Sequence, residues 1–325
     1  MVNSVDDQTA APSIEVKNLT YKFPDSSLGL TDITLSLPPS SRTLYVVFFF
    51  CSALFSADEC PFTQSLCTIL SIYPPSLQNI ANLLPIRLIG ANGAGKTTLL
   101  RLLSGKRLAP TSTISISGLD PFKDSLVGVT YLGLEWVLNP IVRTDIGVRE
   151  LLTSVGGNHY PERRDELVQV LDIDLEWRMH QVSDGERRRV QLAMGLIRPW
   201  RILLLDEITV DLDLLSRKRF LDFLREETEK RKCTIVYATH ILDNLAGWPT
   251  DLVHMSLGRV KEWGNIEKFE KEMSGDSSGN SRLGELVLKW LGEDLKERGP
   301  RKNAGSAGTS YLVAGVGGYG SEKKV

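Results

Sequence analysis

Eight consecutive residues, Gly90 through Thr97, carry the spacing G-x-x-x-x-G-K-[ST]. Glycines so spaced let backbone N–H groups close around the phosphates of a nucleotide. Lys96 is placed to reach the β- and γ-phosphates, and the Thr97 hydroxyl to ligate Mg²⁺. Gly90, Asn92, Gly93, Gly95, Lys96, Thr97 and Thr98 therefore form a candidate phosphate-binding set. A glycine-rich turn that binds nothing is the competing reading, and two further features weigh against it. The apolar run Ile202–Leu205 ends in adjacent carboxylates, Asp206 and Glu207. Asp206 suits a Mg²⁺ ligand. Glu207, one residue on, suits a general base that polarises an attacking water. A second apolar run, Thr234–Thr239, ends at His240, which at a strand end can meet a γ-phosphate.

These groups need elements that carry them to one place. Residues 98–103 are good helix formers, so the loop would lie at a helix N-terminus, where free N–H groups and the dipole favour an anion. Residues 201–207 and 234–240 read as parallel strands buried on both faces. The functional edge of an open parallel sheet is the carboxyl end of its strands, so loop, paired carboxylates and histidine fall on one edge. Residues 13–23 and 30–37 partly alternate and read as strands. Phe23, ending the first, either stacks on a nucleotide base or belongs to the core. Residues 111–118 and 127–132 read as short strands, and 145–154 and 161–171 as helices. Residues 176–194 carry a further helical unit with Ser183 placed as its N-cap, and 253–264 a closing hairpin. Leu283, Leu286, Val287, Trp290, Leu291 and Leu295 follow helical spacing up to Gly299 and Pro300.

Composition narrows the class. The chain has 325 residues, 42% hydrophobic and 24% charged, as in an ordinary globular protein. Its net charge of −2 supplies no pull toward nucleic acid or anionic lipid. Cys51, Cys60, Cys67 and Cys233 have neither zinc-like spacing nor a disulfide framework, which favours a reducing, intracellular setting. No secretory signal opens the chain. The longest apolar run, residues 44–55, falls short of the roughly 20 needed to span a bilayer.

Val182 to Gln191 reads Val-Ser-Asp-Gly-Glu-Arg-Arg-Arg-Val-Gln. It resembles the signature of ABC-type ATPases, usually Leu-Ser-Gly-Gly-Gln. The order Phe23, Gly90–Thr97, Ser183–Glu186, Ile202–Glu207, Asp213, His240 is similar to that family from residue 13 to about 265. The resemblance implies an α/β fold: a P-loop NTPase of ABC type, with a mixed central sheet, an antiparallel β subdomain and a helical signature subdomain over about 119–195. It implies a domain over 13–270; composition and spacing add a tail at 1–12, a linker at 271–282, a helix at 283–299 and a Gly/Ser-rich tail at 300–325. It also implies ATP and Mg²⁺ as cofactors, ATP hydrolysis, and two chains closing head to tail around two nucleotides. Ser183 and Gly185, with Glu186 in the same set, would then face the γ-phosphate held by Lys96 of the other chain. Asp213 would belong to the loop that couples the sites. The basic run Arg187–Arg189 becomes the helix after the signature rather than a nucleic-acid patch.

The chain departs from the family in places. Where a glutamine is usual after the strand 129–132, it reads Gly133, Leu134, Glu135, Trp136. Glu135 is the nearest polar substitute and can approach Mg²⁺ through water. Asp184 stands at the second signature position, and residues 208–213 lack the full Pro-Thr-x-x-Leu-Asp pattern. Residues 131–136, 205–213 and 239–248 together look like a narrower group, the soluble single-domain ABC ATPases of fungi and relatives. That group is known from association with the deadenylase and transcription-regulatory complex, implying a homodimer, such a complex as partner, and a cytoplasmic or nuclear location. The ATPase subunit of a transporter whose membrane domain is a separate chain is the alternative. A nucleotide sensor without hydrolysis is disfavoured by Glu207 and His240.

One stretch does not match its surroundings. Tyr45–Arg87 holds the apolar run 46–50, three of the four cysteines, Pro74 and Pro75, and only Asp58, Glu59 and Arg87 as charges, with no sustained period. Without it, Ser41–Leu44 joins Leu88 and Ile89 as an unbroken family strand feeding the loop. The segment reads as a translated, unspliced intron or a gene-model error: Leu44-Tyr45-Val46 can be encoded across GTATGT, and Ala81-Asn82 as GCTAAC. Retained, it starts the loop's strand at Pro85 and brings Arg87 into a buried sheet, where an unpaired charge is costly.

Overall fold

The computed structural model describes residues 12–23, 29–46, 95–110, 113–124, 126–133, 135, 140–269 and 282–298. Strands β1 (Ile14–Lys22), β2 (Gly29–Leu37) and β4 (Ile114–Ile116) form an antiparallel sheet in the order β2-β1-β4. Between them in sequence come β3 (Arg42–Val46) and helix α1 (Lys96–Leu103). The larger sheet has the order β5-β6-β7-β3-β8-β9, with β5 (Val129–Leu132), β6 (Ile202–Asp206), β7 (Thr234–Thr239), β8 (Asp251–Ser256) and β9 (Arg259–Asn265). Every pairing from β5 through β8 is parallel, and β9 closes the edge antiparallel to β8.

The near-continuous apolar runs follow from this layering. Ile202 and Leu204 of β6 join a cluster with Val236, Ala238 and the α1 leucines Leu99, Leu100, Leu102 and Leu103, beneath the antiparallel sheet. The intervening Leu203 and Leu205 join the opposite cluster, with Ile235, Tyr237, Leu192 and Leu196. A strand whose successive side chains enter two cores leaves no position for a polar residue until it ends.

Helices α2 (Val148–Ser154), α3 (Pro161–Val170) and α4 (Asp184–Leu196) lie on the second core, followed by α5 (Leu214–Lys230). α5 escapes a pattern search. Phe220, Leu221, Phe223 and Leu224 are buried, but they occupy only the middle of a highly charged sequence, and Leu214 and Leu215 at its start are exposed. After the short α6 (Ile266–Phe269), α7 (Arg282–Arg298) docks through the expected stripe of Leu283, Leu286, Val287 and Trp290. The Trp290 ring stacks on His254 of β8 at 4.7 Å, and Asp294 Oδ2 lies 2.9 Å from His254 Nε2. Leu295, which shares the helical spacing, is 43% exposed and falls outside the contact.

The central position between β7 and β8 is held by β3, with Leu44 opposite Tyr237 on one side and Leu252 on the other. Tyr45 and Val46, assigned above to the anomalous stretch, thus continue the strand, because each has a backbone partner on both neighbours. The strand expected from Pro85 to Ile89 lies outside the described residues, as do residues 271–281 of the linker, 1–11 of the N-terminal tail and the C-terminal tail, while Arg282, expected in the linker, opens α7. Among the described residues no helix is long and apolar enough to cross a membrane.

One buried charge cluster ties α3 to α5. Arg163 donates to both carboxylate oxygens of Glu227, at 2.9 and 2.6 Å, and Arg231 Nε adds a contact at 2.8 Å. Burial works to raise the Glu227 carboxyl, but these arginines outweigh it and hold it below its ordinary value. A carboxylate so depressed contributes stability above its unfolded pKa that is lost as pH falls through the folded one. Glu227→Ala should therefore lower the unfolding free energy by about 3 kcal/mol at neutral pH. In urea titrations the gap to the parent chain should narrow below the ordinary carboxylate range.

Candidate active site

Backbone register sets this site. β6 and β7 pair with Asp206 opposite Ala238, and the Glu207 N–H donates to the Ala238 carbonyl at 2.9 Å. Glu207 then adopts a φ of 54°, the left-handed region that side-chain-bearing residues rarely occupy. This turn places its carboxylate against the end of β7. His240 Nδ1 lies 2.8 Å from Glu207 Oε2, and the His240 N–H approaches the same oxygen at 3.4 Å. Lys96, opening α1, is ion-paired with Glu207 Oε1, and both side chains are buried. Burial alone would raise Glu207, but the hydrogen bond to His240 and the Lys96 charge outweigh it and hold the carboxyl below its ordinary value. The group is an ionised carboxylate at neutral pH.

Asp206 has the opposite balance. Burial raises it above its ordinary value, against a hydrogen bond from Thr97 and the charge of Lys96. The Tyr131 hydroxyl donates to Asp206 Oδ2 at 3.1 Å. Burial, then the Asp206 charge, pushes that phenol up to about 12, so it remains a donor. Asp206 Oδ1 is buried and has no hydrogen-bond partner among the described residues. A buried carboxylate oxygen without a partner, beside the Thr97 hydroxyl, fits a hard cation. No group of three His, Cys, Asp or Glu side chains forms a protein cage for a metal among the described residues. One carboxylate and one hydroxyl match Mg²⁺, which keeps its waters and takes its other ligands from phosphates.

The loop glycine before α1 is fixed by space. Gly95 has φ 88°, and a Cβ there would stand 2.3 Å from Leu30 Cδ2. Gly90, Asn92 and Gly93 lie outside the described residues; Thr98 is half-buried in the first turn of α1. Phe23 follows β1, with the Tyr21 ring edge-on at 5.4 Å and the Arg107 guanidinium 4.9 Å from its centroid. Glu135 is ion-paired with Arg101, which also hydrogen-bonds Tyr131. It is thus linked to Asp206 through two side chains.

A second group sits at the start of α4. Ser183 is its N-cap: the Glu186 N–H donates to Ser183 Oγ at 3.2 Å, while Ser183 N and Oγ donate back to Glu186 Oε2 at 2.7 and 2.8 Å. This reciprocal box leaves Ser183 exposed at the helix tip. Gly185 lies against the next loop, where a Cβ would be 2.8 Å from the Asp211 carbonyl oxygen. Asp213 caps α5, accepting from Leu215 N at 3.0 Å and Ser216 N at 2.9 Å. The structure thus gathers Lys96, Thr97, Asp206, Glu207 and His240 at one point, and Ser183, Gly185 and Glu186 at another. Motif spacing gave no sign of Tyr131, Arg101 or Arg107, whose roles rest on contacts between distant segments. The arginines after the signature bind inward: Arg187 donates to the Met179 and Val182 carbonyls, and Arg189 to those of Leu171 and Asp172.

Residues 85–210 match the sequence profile of the family described as ABC transporter. The chain is 44% identical over 288 residues to CCR4-associated factor 16 of Saccharomyces cerevisiae, covering 83% of this chain and 84% of that protein. The chain belongs to the ABC transporter ATPase family. It is also 44% identical to ABC transporter I family member 20 of Arabidopsis thaliana, over 66% of this chain and 67% of the relative. Two solved structures share the fold at low identity. An ATP-binding subunit of an ABC transporter gives a TM-score of 0.58 at 20% identity, over 86% of this chain and 99% of that one. A bacterial Atm1-family ABC exporter with ATP bound gives 0.58 at 16%, over 90% of this chain and 43% of the exporter. The mixed sheet, antiparallel sheet and helices are those of an ABC-type P-loop ATPase. In this ABC ATPase, Ser183→Ala removes a reciprocal cap and should lower stability by about 1 kcal/mol. Chemical denaturation would show it.

Proposed function

We propose that this ABC ATPase binds ATP with Mg²⁺ and hydrolyses it as a head-to-tail homodimer whose cycle acts on a protein assembly. The observation that carries the reading is the convergence of Lys96, Glu207 and His240 beside Asp206. Lys96 holds the β- and γ-phosphates of the bound nucleotide. In doing so it leaves Glu207, whose carboxylate then accepts a proton from the attacking water. His240, held by its Glu207 contact, orients toward the γ-phosphate. Thr97 and Asp206 would hold Mg²⁺, which when bound neutralises charge on the β- and γ-oxygens. Phe23 offers a ring for the base, and Glu135, ion-paired with Arg101, would approach Mg²⁺ through water.

Exposed Ser183 and the exposed apolar Val210, Leu214 and Leu215 around the following loop support a dimer that covers this face. In that dimer Ser183, Gly185, Glu186 and Asp213 meet the nucleotide of the opposite chain. The name of the yeast relative supports a CCR4-type complex as the assembly acted on, in cytoplasm or nucleus. A second reading, the ATPase subunit of a multi-protein transporter, is favoured by the name of the plant relative. Co-purification with an integral membrane protein on which ATPase activity depends would decide for it.

Glu207→Gln should retain ATP binding while turnover falls by about 10²- to 10⁴-fold. Full-rate hydrolysis by that variant would remove Glu207 from the general-base role. The chain lacking Tyr45–Arg87 should bind ATP more tightly than the full chain by equilibrium titration. Equal affinity, with peptides from 45–87 detected in the native protein, would reject the intron reading.

A further inference from the structure

The signature helix is fastened to the loop after β6 by side chains that the hydrolysis chemistry does not use. Gly185 brings the first turn of α4 against the Asp211 backbone. One residue past Arg187, the Arg188 side chain is 2% exposed, and its Nη2 and Nε donate to Asp211 Oδ2 at 2.7 and 3.1 Å. Arg188 Nη1 donates to Gln191 Oε1 at 2.6 Å, and Gln191 Nε2 donates to the Gly133 carbonyl at 2.9 Å. Gly133 directly follows β5, next to the stretch that carries Glu135. From the other side, Arg217 of α5 donates to the Thr209 and Leu212 carbonyls, each at 3.2 Å. Its Nη1 also reaches Asp243 Oδ2 at 3.4 Å, three residues beyond His240.

We propose that Arg188 and Asp211 are a positioning pair that makes the signature helix and the Thr209–Asp213 loop one rigid plate. Both parts of the plate then meet the nucleotide of the opposite chain together. The proposal rests on the dimer reading above and adds to it a coupling device within each chain. Packing alone is an insufficient account of the pair. A guanidinium withdrawn from water is costly, and an apolar side chain of the same volume often serves stability as well or better. What the ion pair supplies is direction. Its bonds tie α4 to a loop that Arg217 and the buried Thr209 and Leu212 already hold against α5 and the sheet, so the helix takes its direction from that held loop. Asp211 is an exposed residue whose side chain keeps 33% of its surface open, so the link lies at the border between core and open face, where closure between chains is felt. The Gln191–Gly133 bond extends the same plate to the end of β5, and the Arg217–Asp243 bond to the segment after His240.

The test compares the full chain with Arg188→Met, Asp211→Asn and the double variant. Arg188→Met alone leaves the Asp211 carboxylate without its partner and is read only with the double variant, which removes both charges at nearly constant volume. ATP-driven dimers are followed by sedimentation in a Glu207→Gln background, and kcat and KM in the native background. The double variant should unfold at a denaturant midpoint near that of the parent and bind ATP within about twofold of it. Its dimers should weaken roughly tenfold and its kcat fall by a similar factor with KM little changed. Undiminished dimers and kcat in the double variant, beside a parent that dimerises, would overturn the pair alone. A parent that forms no dimers with ATP would overturn the dimer reading and the pair with it.

Discussion

The register between β6 and β7 governs what this molecule can do. Asp206 lies opposite Ala238, so the residue after each strand end stands beside the other, and Glu207 meets His240 without any long side chain reaching across. A shift of one residue would turn Glu207 to the other face of the sheet. Both strands are buried on both faces, which specifies the register strongly because every alternative brings an apolar residue to the wrong core. The left-handed turn at Glu207 is tolerated within this frame, and its strain is held by the Ala238 bond and by the ionic contacts of its side chain.

Charge is handled differently at the sheet edge and among the helices. At the edge, carboxylates of opposite tendency sit side by side: burial lifts Asp206, while Lys96 and His240 depress Glu207. Among the helices, arginines meet backbone carbonyls and single carboxylates. Arg187 closes the turn before Ser183, Arg188 reaches Asp211, and Arg163 and Arg231 share Glu227. The run Arg187–Arg189, basic on paper, presents little free charge to solvent because its guanidinium groups turn inward.

Much of this was legible where periodicity and burial coincide. The strands ending in Asp206 and Thr239, the Ser183 cap with Glu186 three residues on, and the stripe from Leu283 to Trp290 each have a local signature. The order of Lys96, Glu207 and His240 along one edge followed from the rule for parallel sheets. α5 was not legible, because its buried Phe220 and Leu224 are diluted by charges that find partners only in the folded chain. Nor was the continuation of β3 through Tyr45 and Val46, since an edge or central position is decided by neighbours hundreds of residues away. The links Arg101–Glu135 and Tyr131–Asp206 join segments far apart in sequence, and spacing carries no signal for them.

The distance along the chain between β3 and α1 has a consequence for tolerance to insertion. Closing a connection grows costlier only logarithmically with length, about 0.6 kcal/mol for each doubling. Residues 47–94 between a central strand and its helix are therefore a modest entropic load on a sheet whose strands pair elsewhere. Phosphate recognition obeys a harsher rule. It depends on consecutive N–H groups held at fixed angles, a local geometry that strand pairing does not itself enforce. A sequence can thus lengthen at this junction, keep its architecture, and surrender its ligand first.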